Sequence, residues 1–551
     1  MPSSIKTLSL LILLTITGLS AVQKPELQTV ELKEDAHIAL IGGNLGSRMM
    51  HYGYFETEMH VRYPEKSLFI RNMCDGGDTP GFRPHASRFS PWAFPGAEKF
   101  QTEYATNSDS EGHFDSPDQW LTQLKTDLII AFFGYSESFQ GQAGLENYKL
   151  ELDAFIKHTV SQKYNGTAAP QLVLVSPVAF EDLTALHDLP SGEKENEHLW
   201  LYTKAMREIA QQNQVLFVDA FTPSRQWYAT TAGPLTIDGA QLNAAGDQKL
   251  ATLLTDEVFG KDPAKAEAQR GLIQAAVMEK NWMWHNDYKI PNGVHVYGRR
   301  YAPFGPDNYP AEIEKLRELT AIRDQAIWLA AQKGEKMDLA AADKKTRPLP
   351  EVKTNFNPEQ NGSLEYLYGK EALDQLKVPA GYKIELFASE VEFADVANPV
   401  QLSFDNQGRL WVATMPSYPH YKPGDAKPND KLIILEDTNN DGKADKETVF
   451  ADGLHLPLGF ELAPEGVYVS QGTDLKLYTD TDGDDKADRV EILLSGFDDH
   501  DTHHNSHAFC ADPSGAIYSG EGVFFTHQRR NGLWHRPGDQ RRFLPVQPAV
   551  A

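Results

Sequence analysis

The sequence predicts a multidomain chain: an α/β domain on a parallel, helix-covered sheet, followed by a partial all-β propeller. Three observations predict it. Apolar runs without alternation recur between residues 38 and 219, with helical patterns between them, as strands buried on both faces require. Beyond residue 378 the pattern changes to short alternating strands around Asp/Asn/Gly turns. An acidic loop then occurs twice, its starts at Asp437 and Asp480 lying 43 residues apart, which suits one four-stranded blade.

The first strand, Ile38 to Ile41, runs directly into Gly42-Gly43-Asn44-Leu45-Gly46-Ser47-Arg48, which reads as strand, tight turn and helix start. Such a turn sets its tip side chain at the carboxyl edge of the sheet and aims helix-start amides at it. The tip residue is Asn44, and an amide is no oxygen nucleophile. Ser47 reads as a helix cap before it reads as a nucleophile. Further strands are expected at Ser67–Asn72, Asp127–Gly134, Gln171–Ser176 and Val215–Asp219, with helices over Leu145–Gln162 and Glu197–Gln212.

Residues 1–21 carry Lys6, an uncharged apolar run from Leu8 to Leu19, and Ser20-Ala21. That is the form of a secretory signal peptide rather than a membrane span, so export to the periplasm or the extracellular space is expected, with no other segment apolar enough to span a bilayer. A net charge of -25 repels phosphate backbones and excludes nucleic acid as a partner class. Cys74 and Cys510 are the only cysteines, and their separation gives no disulfide framework.

Residues 30–260 resemble the GDSL/SGNH hydrolases, which have a flavodoxin-type sheet. Gly42-Gly43-Asn44-Leu45 stands where that family has Gly-Asp-Ser-Leu, Gly76 or Gly77 where it keeps a glycine, Gly134-Tyr135-Ser136-Glu137 where it has Gly-x-Asn-Asp, and Asp238-Gly239-Ala240-Gln241 where it has Asp-x-x-His. The replacements are systematic: Asn44 for the serine, Ser136 for the asparagine, Gln241 for the histidine. Without the imidazole nothing takes a proton near neutral pH. The resemblance thus implies degenerate hydrolase positions at Asn44, Gly77, Ser136, Asp238 and Gln241, of which Asn44, Gly77, Ser136 and Gln241 rim a pocket suited to a carbohydrate or an acylated glycan, or else a domain that serves only as a packing module.

Residues 261–345 form an aromatic and helical connector, with Trp282-Met283-Trp284-His285-Asn286-Asp287-Tyr288 read as core or as a sugar platform. A polar linker is expected over 346–372. The hairpins of the second domain, 373–525, are Leu402–Ala413, Leu462–Ser470 and Phe509–Ser519. Oxygen side chains alternate in the two acidic loops, so Asp437, Asn439, Asp441 and Asp445, and likewise Asp480, Asp482, Asp484 and Asp488, are candidate calcium ligands, or else solvated hairpin tips. His503, His504 and His507 lie among Asp498, Asp499 and Asp501 and suit a metal, proton abstraction or a hydrogen-bonded loop.

This region is similar to the membrane-bound-dehydrogenase-type propeller of pyrroloquinoline-quinone (PQQ) sugar dehydrogenases, in exported bacterial proteins that fuse it to an SGNH-like module and often to a haem-binding tail. The resemblance implies PQQ only in a complete propeller. No Cys-x-x-Cys-His occurs, so no covalent haem is expected. After Phe525 the strand alternation lapses, and 526–551, with Arg529, Arg530, Arg541 and Arg542, reads as the aberrant tail of a frameshifted or truncated chain. The expected function is carbohydrate binding by a module inactive as an esterase, fused to a truncated dehydrogenase-like propeller. The alternative is an active GDSL/SGNH-type esterase on acylated glycans.

Overall fold

The structure, a computed structural model, describes residues 30–85, 87–101, 112–187, 189–354, 366–497, 499–513 and 516–520, together with the backbone of 543–546. The expected signal peptide and most of the expected aberrant tail lie outside the described residues.

All five expected parallel strands form: β1 (His37–Gly42), β2 (Phe69–Asn72), β3 (Leu128–Phe132), β4 (Gln171–Val175) and β5 (Leu216–Val218), in the order β2-β1-β3-β4-β5. Successive residues feed opposite cores. Ala39, Ile41, Ile129 and Ala131 point into one, Ile38, Leu40, Leu128 and Ile130 into the other, which is why these runs are apolar throughout. Helices α1 (Asn44–Tyr52), α2 (Tyr54–Arg62) and α8 (Ala244–Phe259) cover the second core, and α3 (Pro117–Gln123), α5 (Gly141–Ser161) and α6 (Glu193–Gln212) the first. The short α4 (Tyr135–Ser138) follows β3, and α7 (Phe221–Thr230) follows β5.

The expected connector completes this domain. Helices α9 (Arg270–Tyr288) and α10 (Gly305–Lys333) pack on each other and on α2. Trp328 Nε1 donates to Leu68 O at 3.0 Å, Trp284 Nε1 to Asn72 O at 2.7 Å, and Lys280 Nζ meets Glu56 Oε2 at 2.6 Å. Trp284 and Tyr288 are buried against Trp120, so of the two readings of the aromatic cluster these rings take the core one.

The second region holds antiparallel sheets that run up and down in chain order. Strands β6 (Pro399–Phe404), β7 (Leu410–Thr414), β8 (Asp430–Glu436) and β9 (Lys446–Leu454) form one, and β10 (Pro457–Ala463), β11 (Gly466–Gln471), β12 (Asp474–Thr479) and β13 (Arg489–Ser495) the next. A third contains β14 (His507–Ala511), β15 (Ile517–Gly520) and the backbone strand β16 (Phe543–Val546). The first strands β6, β10 and β14 pack side by side, and among the described residues the sheets close no ring. Sequence pattern gave no strand at Phe543–Val546, yet it pairs with β15: an edge strand's free N–H and C=O groups recruit a partner backbone whatever its alternation. Cys74 is buried, Cys510 exposed, and both are free thiols. No described helix is long and apolar enough to cross a membrane.

Candidate functional site

The strand order reverses between β1 and β3, and the crevice at their carboxyl ends is where open α/β sheets hold ligands. Gly42 ends β1 at φ +111°, and a Cβ there would meet Phe132 O at 2.2 Å, so only glycine lets the chain turn this close to β3. Gly43 N then donates to Phe132 O at 2.8 Å, and α1 begins at Asn44. Opposite, Gly134 N donates to Glu137 Oε2 at 2.9 Å and starts α4, which carries Ser136. Asn44 and Ser136 line one cavity with Asp78, Glu137 and Ser176. Its volume is about 20 Å³, enough for about one water.

Gly77 and Gln241 stand outside that lining. Asp238 Oδ1 accepts from Ala240 N at 2.9 Å and Gln241 N at 2.7 Å, and its Oδ2 from Gln241 Nε2 at 2.9 Å. Gln241 Nε2 also points at Ser495 O, 3.5 Å away. A carboxylate and a carbonyl both accept, which fixes the amide's orientation and leaves Gln241 Oε1 buried without a hydrogen bond. Burial pushes the Asp238 carboxyl above its usual range, against those amides and Arg48. Nothing at 241 replaces an imidazole base. Ser47 is no freer: Lys289 Nζ donates to Ser47 Oγ at 2.6 Å and pairs with Asp75 Oδ1 at 3.3 Å. An ammonium held by a carboxylate donates protons and does not take one.

The antiparallel region closes over this crevice. At Gly496, after β13, φ is +95°, and a Cβ there would lie 3.8 Å from Asn44 Nδ2. A Cβ on Gly76 would lie 3.8 Å from Gly496 Cα. Asn292, buried with φ +61°, stitches the seam: its N donates to Asp499 O at 2.8 Å, its Nδ2 to Pro419 O at 3.0 Å, and its Oδ1 accepts from Thr502 N at 3.1 Å. Sequence reasoning missed Asn292, although Pro291-Asn292-Gly293 is a turn signal. Burial lowers His51 to about 4, His285 to about 3 and His455 to about 4, so all three are neutral imidazoles at neutral pH.

His503 and His504 gather at Asp501, while His507 Nδ1 is tied to Asn505 O. Arg300 reaches both ring nitrogens of His503, Nε2 at 2.8 Å and Nδ1 at 3.4 Å, and Nδ1 lies 3.0 Å from Asp501 Oδ1. Arg299 pairs with Asp501 Oδ2. With both His503 nitrogens engaged and two guanidiniums alongside, the cluster suits a docked hydrogen-bonded loop better than a cation site.

The acidic loops join β8 to β9 and β12 to β13 and are not equivalent. Asp480, Asp482 and Asp488 bring carboxylate oxygens within 4.8 Å of one another. Asp437 and Asp480 each accept from backbone amides of their own loop, but both oxygens of Asp445 accept from the Thr438 hydroxyl whereas Asp488 gives the Thr481 hydroxyl only Oδ2.

Residues 368–547 match a family described as a domain of unknown function, DUF7133. No curated protein matches the chain. Among solved structures, the chain is similar to a gut microbial diltiazem-metabolizing enzyme, with 14% identity, TM-score 0.30 and coverage of 42% of this chain. The chain spans 48% of that enzyme's length. It is also similar to a catalytic mutant of Axe2, an acetylxylan esterase from Geobacillus stearothermophilus, with 14% identity and TM-score 0.29, covering 42% of this chain and 98% of that one.

Proposed function

We propose that this is an exported carbohydrate-binding protein whose parallel-sheet domain hydrolyses no ester and instead seats the antiparallel region. The observation that carries the reading is the seam: Ser495 and Gly496 lie over Gln241 and Asn44, and the cavity left beside Asn44 has about 20 Å³. A cavity of that size admits about one water and no acyl glycan. Lys289 withholds Ser47, and Gln241 supplies no base. The reading is tested with p-nitrophenyl acetate: no turnover above background is expected, and turnover abolished by Ser47→Ala would establish the esterase alternative instead.

A second reading, sugar oxidation by a propeller of this type, is favoured by one observation: β6, β10 and β14 lie side by side, as the inner strands of neighbouring blades do. The Asp480 loop has the donor set for calcium. A dye-linked dehydrogenase assay with added PQQ and calcium decides it, and no dye reduction with any aldose would end it.

A further inference from the structure

We propose a saccharide-binding groove between α6 and α7, with Trp200 as its platform. It rests on the carbohydrate-binding reading and gives the sugar a place on the chain. The rim at Asn44 and Ser136 has room for about one water, so a glycan needs another surface. The groove has a volume of about 780 Å³, within the roughly 300–1,000 Å³ of ligand sites.

Trp200 is 36% exposed in it, while Phe221 behind the indole is 2% exposed. The two rings lie 5.6 Å apart at 28°, so a core side chain stiffens the platform. Lys204 Nζ and the Arg207 guanidinium stand 5.6 and 6.0 Å from the indole centroid, at the outer reach of a cation–π contact. Around the indole, Glu193 and Glu197 come from α6 and Arg225 and Gln226 from α7. None of these four side chains is spent on a hydrogen bond or ion pair among the described residues.

A pyranoside matches this arrangement. Its C–H face lies on an aromatic ring, and its hydroxyls both donate and accept. Carboxylates accept, a guanidinium donates, and an amide does both. Glu193 and Glu197 balance Arg225 and Lys204, and Arg207 is paired with Asp219, so the groove has no excess of positive charge to hold a phosphate or a polyuronate, and the occupant inferred is a neutral pyranoside chain. The floor is aromatic and the rim polar, as in small-molecule sites where a few convergent polar groups fix orientation.

The test is affinity electrophoresis of the full chain and its Trp200→Ala, Trp200→Phe and Arg225→Ala variants through gels containing xylan, laminarin or galactomannan, with thermal melts alongside. At least one polysaccharide is expected to retard the wild type. Trp200→Ala should weaken retention by about tenfold or more, as loss of an aromatic anchor does, while Trp200→Phe keeps most of it. If no gel retards the wild type, the carbohydrate reading and the groove fall together. Equal retention of wild type and Trp200→Ala overturns the groove alone and leaves the reading standing. Should Trp200→Ala melt early, the exposed Arg225 decides: unchanged retention of Arg225→Ala overturns the groove, and weakened retention with an unchanged melt supports it.

Discussion

A carbon placed on Gly496 would stand 3.8 Å from Asn44 Nδ2: the turn after β13 meets the tip of the turn after β1. The crevice of the parallel sheet is therefore an interdomain surface. Residues at catalytic positions of the family that the sequence resembles serve here as contacts, Asn44 against Gly496 and Gln241 against Ser495.

Restoring the hydrolase residues should not restore hydrolysis. Asn44→Ser with Gln241→His supplies a nucleophile and a base, but the cavity beside position 44 has only about 20 Å³ and the turn at Gly496 packs against Asn44. Turnover of p-nitrophenyl acetate is expected to stay at background, below the roughly 10²-fold acceleration that general base catalysis alone contributes. Measurable saturation kinetics in the double variant would show the seam to be open in solution.

The seam should loosen in acid. Burial holds His51, His285 and His455 below their ordinary 6.5, at about 4, 3 and 4. A depressed imidazole leaves the unfolded chain binding more protons below pH 6.5, so stability is intact above that value and falls as pH drops towards 4. The melting temperature is expected to decline between pH 6.5 and 4, with faster amide exchange at residues 495–505. His455→Gln should flatten that decline, and an unchanged pH profile would remove the seam histidines as its cause.

Asp247 has the opposite sign. It is 2% exposed, and burial raises it to about 7, with Arg48 opposing. A carboxyl raised in the fold contributes stability fully below its unfolded value near 3.8, and that contribution is lost as pH rises through 7. Asp247→Asn should therefore melt like the wild type at pH 4 and higher than it at pH 8. The expected gain at pH 8 is about 1–3 kcal/mol, less than the roughly 4 kcal/mol that such a shift represents. Equal melting temperatures at pH 8 would contradict it.

Calcium should act through one loop more than the other. Asp488 spends only Oδ2 on Thr481, whereas Asp445 spends both oxygens on Thr438. A ligand that binds only the native state raises its melting temperature. A chelator-reversible rise is expected in millimolar calcium, lost in Asp480→Asn/Asp482→Asn and largely kept in Asp437→Asn/Asp441→Asn. Identical melts with calcium and chelator would reduce both loops to solvated hairpin tips.

By itself the sequence determined the local elements. Short unbroken apolar runs bounded by turn signals match strands buried on both faces, so β1 to β5 were legible, and Asp/Asn/Gly turns between alternating residues marked the β6–β7, β10–β11 and β14–β15 hairpins. Glycines at 42 and 134, where the backbone takes positive φ, marked the turns that carry Asn44 and Ser136. Tertiary structure alone decided what those turns face. The pairings of Gly496 with Asn44, Ser495 with Gln241, Lys289 with Ser47 and Asn292 with Thr502 join residues more than two hundred positions apart. Such contacts leave no periodicity in the chain, because a side chain's spacing reports the face it occupies and not the element that arrives to cover it.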